Sequence, residues 1–255
     1  MSTLNIANEP HLFLMSSHQS HITNKLIPKI IRKNNLQIIN WELGSYMYGQ
    51  ARLFKSSCLD SDNINLSQEF ATTLEIVSGS IVIATYNNES YRSRNLINQS
   101  IFCLNFLGYD WLFSHIDKNS SNVRLIPNNQ KLLEVYNQST EIFEFVRKHI
   151  INYYLSSPKK SLIEACRYAF SQLLDLCQNT ELNFILSNGF LTFIFINSKN
   201  FYLANLEEDN QDVSIVSSLN LENEDNVELK VLANKQAKMI VFNGHTLIFN
   251  GDLTK

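Results

Sequence analysis

The chain has 255 residues, of which 44% are hydrophobic and 18% charged, and its 21 Lys and Arg against 24 Asp and Glu give a formal charge of −3. This composition excludes a disordered or collagen-like chain, and the lack of a basic block argues against a nucleic-acid surface. Apolar runs such as residues 191–196 are far shorter than the roughly 18 residues of a membrane-spanning helix, and the N-terminus has no signal-peptide pattern. We therefore expect a cytoplasmic protein that binds neither nucleic acid nor membranes.

The cysteines and histidines show no strong metal-binding pattern. Four cysteines are spaced too widely for a metal knuckle and form no Cys-x-x-Cys pair, which is typical of reduced thiols. They are Cys58, Cys103, Cys166 and Cys177. His11, His18 and His21 are close enough in sequence for a metal site to be conceivable, but no carboxylate or cysteine stands at ligand spacing. We expect no metal and no cofactor.

The first half of the chain predicts short strands and two helices. After a polar extension over residues 1–9, the apolar run at residues 12–15 predicts a strand buried on both faces. The other elements predicted here are a helix over 21–32 that Pro28 interrupts, a hairpin with strands at 36–39 and from Gly44 to residue 54, a helix over 66–78, and strands over 80–86, 100–106 and 110–115.

The second half predicts two long helices followed by strands. Apolar residues recur at helical spacing over 131–154 and 161–177. The strands predicted after them cover 183–186, 191–197, 201–204, 213–216, 227–232, 239–241 and 247–250, with Asn-Gly turn signals at 188–189, 243–244 and 250–251. This order predicts an α+β fold, a four-layer αββα sandwich of two antiparallel sheets flanked by helices. The residues expected inside it are Leu12, Phe13, Leu14, Ile81, Ile83, Phe184 and Leu186.

Several stretches resemble the class II glutamine amidotransferase family of N-terminal-nucleophile (Ntn) hydrolases. Residues 10–16 match the apolar pattern of that family's opening, Cys-x-Leu-Leu-Gly-x-Ser. Residues 84–87, 100–102 and 113–117 keep the mutual spacing of its Ala-His-x-Arg strand, His-Pro-Phe turn and Tyr-Ala-His-Asn-Gly strand. Residues 183–189 resemble its Asn-x-Leu-Leu-Ser-Asp-Gly hairpin. The resemblance implies an Ntn-hydrolase-like fold and a single domain over residues 10–255 that follows the extension 1–9.

The resemblance also implies a glutamine pocket whose reactive groups this chain lacks. In the family an N-terminal cysteine attacks the side-chain amide of glutamine while its own α-amine moves the proton. That position falls on Pro10, which has no nucleophile and follows nine other residues. The family's oxyanion-binding Asn and Gly correspond to Ile116 and Asp117, and the arginine that holds the substrate carboxylate corresponds to Asn87. A carboxylate at Asp117 would repel a developing oxyanion.

Other signature positions of the pocket are also replaced. The histidines of Ala-His-x-Arg and His-Pro-Phe correspond to Thr85 and Ser100, and the substrate-binding aspartate of Thr-Asp-Ser-Glu falls near Ser139. The Gly-Asp-Gly-x-Gly element is reduced to Gly44. His115 matches the histidine of His-Asn-Gly, and it is interpreted either as a pocket group left from an ancestral site or as a satisfied histidine at a strand end.

Three hypotheses are compatible with these residues. The first is a catalytically inactive glutamine-amidotransferase-like protein that binds an unidentified protein partner or small ligand, with self-association left open. The second is an active amidohydrolase for glutamine or γ-glutamyl amides with a relocated nucleophile. Removal of the initiator methionine would give Ser2 a hydroxyl beside a free α-amine, and Arg92 or Arg94 could replace the lost arginine. The third is an unrelated α+β domain. The losses at the pocket favour the first, with no catalytic residue.

Overall fold

The computed structural model describes residues 11–17, 38–56, 68–70, 72–73, 81–88, 101–117, 138–157, 159–176, 182–197, 201–208, 211–218, 229–232 and 237–253. In chain order its strands are β1 (His11–Ser17), β2 (Ile38–Met47), β3 (Gln50–Lys55), β4 (Ile81–Asn88), β5 (Phe102–Phe106), β6 (Tyr109–Asp117), β7 (Leu182–Ser187), β8 (Leu191–Ile196), β9 (Tyr202–Glu208), β10 (Gln211–Ser217), β11 (Leu229–Val231), β12 (Lys238–Asn243) and β13 (Thr246–Asp252). Helices α1 (Gln138–Leu155) and α2 (Leu162–Leu176) lie between β6 and β7. No helix within these residues has the length and apolar character needed to cross a membrane.

The strands form two antiparallel sheets that pack face to face. The first sheet has the order β11-β9-β10-β1-β4-β2-β3, and the second has the order β13-β12-β8-β7-β6-β5. Leucine and isoleucine side chains from both sheets fill the space between them, including Leu12 and Leu14 of β1, and Ile185 of β7. Phe13 and Met15 alternate with these leucines, so they point to the opposite face of β1, where they are also buried. The predicted strand buried on both faces is confirmed.

Helices cover the outer faces of the sheets. On the second sheet, Phe170 of α2 meets Phe184 edge to face, with 4.8 Å between ring centroids. On the outer face of the first sheet, helical residues 68–70 and 72–73 include the buried Phe70, whose ring centroid lies 5.2 Å from that of Trp41. The structure therefore confirms the predicted α+β sandwich. The seven residues expected inside are all buried: Leu12, Phe13, Leu14, Ile81, Ile83, Phe184 and Leu186.

Helix α2 begins where the sequence places its start. Ser161 precedes the helix, and its Oγ accepts a hydrogen bond from the backbone N–H of Glu164 at 3.2 Å. The Glu164 carboxylate in turn accepts the backbone N–H of Ser161 at 2.8 Å. This reciprocal capping box satisfies two N–H groups that no helical carbonyl can reach. It also holds the pKa of the Glu164 carboxyl below its usual value, through the hydrogen bonds from Ser161.

Two boundaries in the predicted strands were wrong. The hairpin was expected to break between residues 40 and 44, but β2 runs without interruption to Met47 because it pairs along its length with β4 and β3. The chain reverses instead at Tyr48 and Gly49, whose φ angles of 53° and 78° suit a tight hairpin turn. Asn250-Gly251 is not a turn, because β13 stays paired with β12 as far as Asp252.

The other element predictions agree with the structure where it describes them. The Asn-Gly turns at 188–189 and 243–244 connect β7 to β8 and β12 to β13. The predicted helix over 21–32 lies outside the described residues, as do 131–137 of the first long helix. The described residues of the predicted helix over 66–78 are helical.

The Tyr46 hydroxyl joins the two sheets across their apolar interface. It lies 2.5 Å from the carbonyl oxygen of Ser187 and 2.8 Å from that of Asp110, and it accepts the backbone N–H of Leu112 at 3.0 Å. Burial raises the pKa of the Tyr46 phenol well above its usual value, so the hydroxyl keeps the proton that it donates. Tyr46 belongs to the first sheet and its three partners to the second, so one side chain sets the separation of the sheets here.

We expect Tyr46→Phe to destabilise the protein by about 1–3 kcal/mol, because the Leu112 N–H loses its acceptor inside the core. Urea denaturation measures this as a loss in the free energy of unfolding. The control is Tyr48→Phe, because the Tyr48 side chain is 98% exposed and its hydroxyl stays in water. Equal losses in the two variants would contradict a structural role for the Tyr46 bridge.

Candidate functional site

Most of the described positions that the sequence assigned to a pocket lie at one end of the sandwich. Tyr46, near the end of β2, contacts Asp110 near the start of β6. The start of β2 and the end of β6 therefore lie together at the opposite end. Thr85 pairs there with Leu12 of β1 and with Glu42 of β2, and Asn87 pairs with Asn40. On the facing sheet the same end carries Ile116 and Asp117, which pair with Asn183 and Leu182.

Several predicted site residues are not described, and one lies on a helix outside the two sheets. Pro10 and Ser100 lie outside the described residues, as do Ser2, His18, His21, Arg92 and Arg94. Ser139 lies in the first turn of α1, the helix that packs on the outer face of the second sheet. For Thr85, Asn87, Asp117 and Ser139 the structure defines the backbone position.

His115 and Ile116 point to opposite faces of β6. Ile116 is buried in the core between the sheets together with Leu112. Because side chains alternate along a strand, His115 faces the helices instead, where its ring stacks on that of Phe113 at 6.0 Å between centroids. His115 is only 2% exposed. Its ring is therefore on the far side of the sheet from Ile116 and from the space between the sheets.

The space above Gly44 is closed by apolar side chains. A Cβ atom at Gly44 would lie 3.0 Å from Leu112 Cδ1 and 3.1 Å from Ile101 Cγ2, which is closer than ordinary carbon contacts. A glycine at position 44 thus allows the second sheet to approach the β2 backbone closely here. The approach brings Leu112 and Ile101, both almost fully buried, directly over the position that resembles the family's glycine-rich element.

Glu42 is a polar residue of this region that the sequence analysis did not select. One carboxylate oxygen accepts the backbone N–H of Ile101 at 2.6 Å, and the other lies 3.1 Å from Lys55 Nζ. The sequence could have indicated Glu42, because it is an acidic residue between the buried Trp41 and Leu43 of β2. Charged side chains are rarely buried unless they are paired. Each carboxylate oxygen therefore already has one hydrogen-bonding or ionic partner.

Ser114 is a second buried polar group that the sequence did not predict. It lies between Leu112 and Ile116 on β6, and its Oγ has no hydrogen-bond partner among the described residues. A serine hydroxyl becomes a nucleophile only beside a base that takes its proton. In the described part of the chain, no three His, Cys, Asp or Glu side chains are grouped as they would be around a metal ion.

Besides apolar packing, the buried polar side chains at this end include the Glu42 carboxylate, the Ser114 hydroxyl and Asn183, whose Oδ1 accepts the backbone N–H of Asn197 at 3.1 Å. Amide hydrolysis needs a nucleophile with a base, and hydrogen-bond donors aimed at the developing oxyanion. Ile116 offers no donor from its side chain and packs into the core instead.

Comparison with known proteins identifies the fold. No protein-family model matches the sequence, and no curated protein matches it. The structure is similar to a predicted glutamine amidotransferase from Pseudomonas aeruginosa, with a TM-score of 0.52 and 15% identity over 95% of this chain and 97% of that one. It is also similar to a glutamine aminotransferase class-II domain protein from Silicibacter pomeroyi, with a TM-score of 0.54 and 10% identity over 96% of this chain and 100% of that one.

A third similar structure is a longer enzyme. Glutamine phosphoribosylpyrophosphate amidotransferase from B. subtilis, complexed with ADP and GMP, matches with a TM-score of 0.58 and 10% identity over 96% of this chain. The match spans 49% of that enzyme's length. At these identities the likenesses show the fold: the chain adopts the Ntn fold of class II glutamine amidotransferases.

We expect Gly44→Ala to destabilise the protein by about 1–3 kcal/mol, because the added methyl group overpacks the contact with Leu112 and Ile101. Urea denaturation again measures the change. Ser45→Ala is the matched control, since it adds no atom at the next position and removes a buried hydroxyl that has no hydrogen-bond partner among the described residues. Unchanged stability of Gly44→Ala would show that the sheets have room to separate at this point.

Proposed function

We propose that this chain is a catalytically inactive glutamine-amidotransferase-like protein with a binding or regulatory role. The observation that carries the proposal is the burial of Ile116 in the core between the sheets, at the position where the resemblance places the family's oxyanion-binding asparagine. A fold and its chemistry are separable, because activity depends on particular side chains placed on the fold. Here the fold is kept and an isoleucine replaces a group that the reaction needs.

The other replacements support the same proposal. Proline at position 10 cannot act as a nucleophile, and loss of the nucleophile costs about a million-fold in turnover in serine proteases. Removing a single oxyanion donor costs about a hundred- to a thousand-fold. Asn87 cannot form the paired, charged hydrogen bonds with which an arginine holds a carboxylate. These losses do not simply add, but each alone is large.

The proposal includes where the protein acts and what it binds. We place the protein in the cytoplasm, as a single domain over residues 10–255, with an unidentified protein partner or small ligand. The near-neutral charge of −3 and the lack of basic blocks support a partner other than nucleic acid.

The purified protein should release no ammonia from glutamine above the level of a heat-killed control. The reason is that the family's nucleophile, the arginine that holds the substrate carboxylate and the oxyanion donors are all replaced at the corresponding positions. A coupled glutamate dehydrogenase assay measures the release. Turnover that disappears in a Ser2→Ala variant would contradict the proposal and favour a relocated N-terminal nucleophile. Turnover that survives Ser2→Ala would contradict it as well, and would direct the search to other hydroxyl and thiol groups.

Restoring the nucleophile alone should leave the protein inactive. A Pro10→Cys chain trimmed so that the new cysteine is its first residue should not react with an electrophilic glutamine analogue, because nothing binds or polarises the substrate. Labelling, read by intact mass, should require the additional changes Asn87→Arg, Ile116→Asn and Asp117→Gly. If the single cysteine reacts, the assignment of the oxyanion and carboxylate positions is wrong, and Arg92 and Arg94 become the first residues to test.

A further inference from the structure

Glu42 makes a hydrogen bond between the two sheets at the end away from Tyr46. Its side chain extends from β2 in the first sheet, and its carboxylate accepts the N–H of Ile101 at 2.6 Å. Ile101 comes immediately before β5, the outermost strand of the second sheet. The side chain of Glu42 is 12% exposed, so this is a charge-assisted hydrogen bond largely shielded from water.

Ile101 fills the gap that Gly44 leaves between the sheets. Its side chain is buried in the inter-sheet core, and its Cγ2 would lie 3.1 Å from a Cβ atom at Gly44. In the described structure β5 pairs with β6 alone, whereas β6 pairs on both sides. Among the described residues, the start of β5 is therefore held by one strand ladder, by the packing of Ile101 and by the bond to Glu42.

We propose that the Glu42 carboxylate acts as a clasp, meaning that its hydrogen bond from the Ile101 N–H keeps Ile101 packed between the sheets. Breaking this hydrogen bond opens the space over Gly44 while the rest of the sandwich stays folded. The inference is independent of whether the protein turns over glutamine, since it concerns the closed state of the space and not its chemistry. A ligand that enters this space has to displace Ile101. The clasp would then set how readily such a ligand binds.

The opening is local because other contacts hold the opposite end of the sandwich. Besides the Tyr46 bridge, Ser16 Oγ donates to the carbonyl of Gly244 at 2.6 Å, and Ser214 Oγ donates to that of His245 at 2.7 Å. Both serines belong to the first sheet, and both carbonyls to the turn between β12 and β13 of the second. Segments of a protein open separately when their local contacts are fewer than those of the core.

Two cysteines report local and global opening separately. Cys103 lies on β5, two residues after Ile101, and packs against the same inter-sheet core. Burial, with a smaller contribution from Asp110, raises the pKa of its thiol, so exposure of β5 makes it more reactive. Cys166 is fully buried between α2 and the second sheet, so it reacts with a maleimide only when that core opens. Peptide mass spectrometry measures the labelling rate of each cysteine.

Glu42→Leu removes the acceptor while keeping a side chain of similar size. Loss of a charge-assisted hydrogen bond should raise the labelling rate of Cys103 roughly tenfold to a hundredfold, with the rate of Cys166 unchanged. Glu42→Gln is the matched control, because its amide oxygen can still accept the Ile101 N–H, and we expect less than about a threefold change. An unchanged Cys103 rate in Glu42→Leu, or equal acceleration at Cys166, overturns the proposal. Acceleration by Glu42→Gln as large as that by Glu42→Leu also overturns it, since glutamine keeps an acceptor for the Ile101 N–H and the strand would then not be held by that hydrogen bond.

If Glu42→Leu does not fold, the proposal can be tested on the unmodified protein by hydrogen exchange. Hydrogen exchange compares the Ile101 N–H, bonded to Glu42, with the Leu112 N–H, bonded to Tyr46. A clasp that opens locally predicts that Ile101 exchanges at least about tenfold faster than Leu112. Equal protection of the two amides would mean that they open in the same event, and the proposal would be wrong.

Discussion

The Tyr46 hydroxyl is the contact on which the relative placement of the two sheets depends. It accepts one backbone N–H of the second sheet and reaches two of its carbonyls, inside a largely apolar space rich in leucine and isoleucine. Apolar packing draws the sheets together but is not directional, so it allows some sliding. A hydroxyl that bonds backbone groups of both β6 and β7 permits one placement, because any shift leaves those groups unpaired in the core.

That placement decides which residues meet at the other end. With the end of β2 fixed to the start of β6, Gly44 comes under Leu112, and Glu42 comes within reach of the Ile101 amide. Among the described residues, the sheets are thus joined by hydrogen bonds near the hairpin turns, and toward the opposite end by apolar packing and the hydrogen bond of Glu42 to Ile101. That opposite end carries Thr85, Asn87, Ile116 and Asp117, which the sequence resemblance assigned to a pocket, and Ile116 is part of the buried core there.

The end of the sandwich that carries Ile116 is filled by buried side chains. Removing apolar surface from water stabilises the packed sheets, and Ile116 and Ile101 both contribute to the apolar core between them. Glu42 adds a polar contact there, because one carboxylate oxygen pairs with Lys55 and the other accepts the N–H of Ile101.

Local pattern in the sequence was sufficient for the elements and for the class of fold. The apolar runs of β1 and β4 and the helical spacing in α2 follow from periods of two or 3.6 residues. The turn at Tyr48-Gly49 was missed because no Asn-Gly or Asp-Gly signal marks it. Asn250-Gly251 carries such a signal but stays in a strand, because pairing with β12 outweighs a local turn preference.

The contacts that define the candidate site were decided by tertiary structure. Tyr46 meets Ser187, 141 positions later in the chain, and Glu42 meets Ile101, 59 positions later. The periodicity of the sequence does not predict such pairs, because they depend on strand register and on the distance between the sheets. The face on which His115 lies likewise depends on which side of β6 the helices cover. The sequence alone determined which residue types stand at the positions that resemble the family's motifs, whereas only the packing of the two sheets determined which side chains fill the space between them.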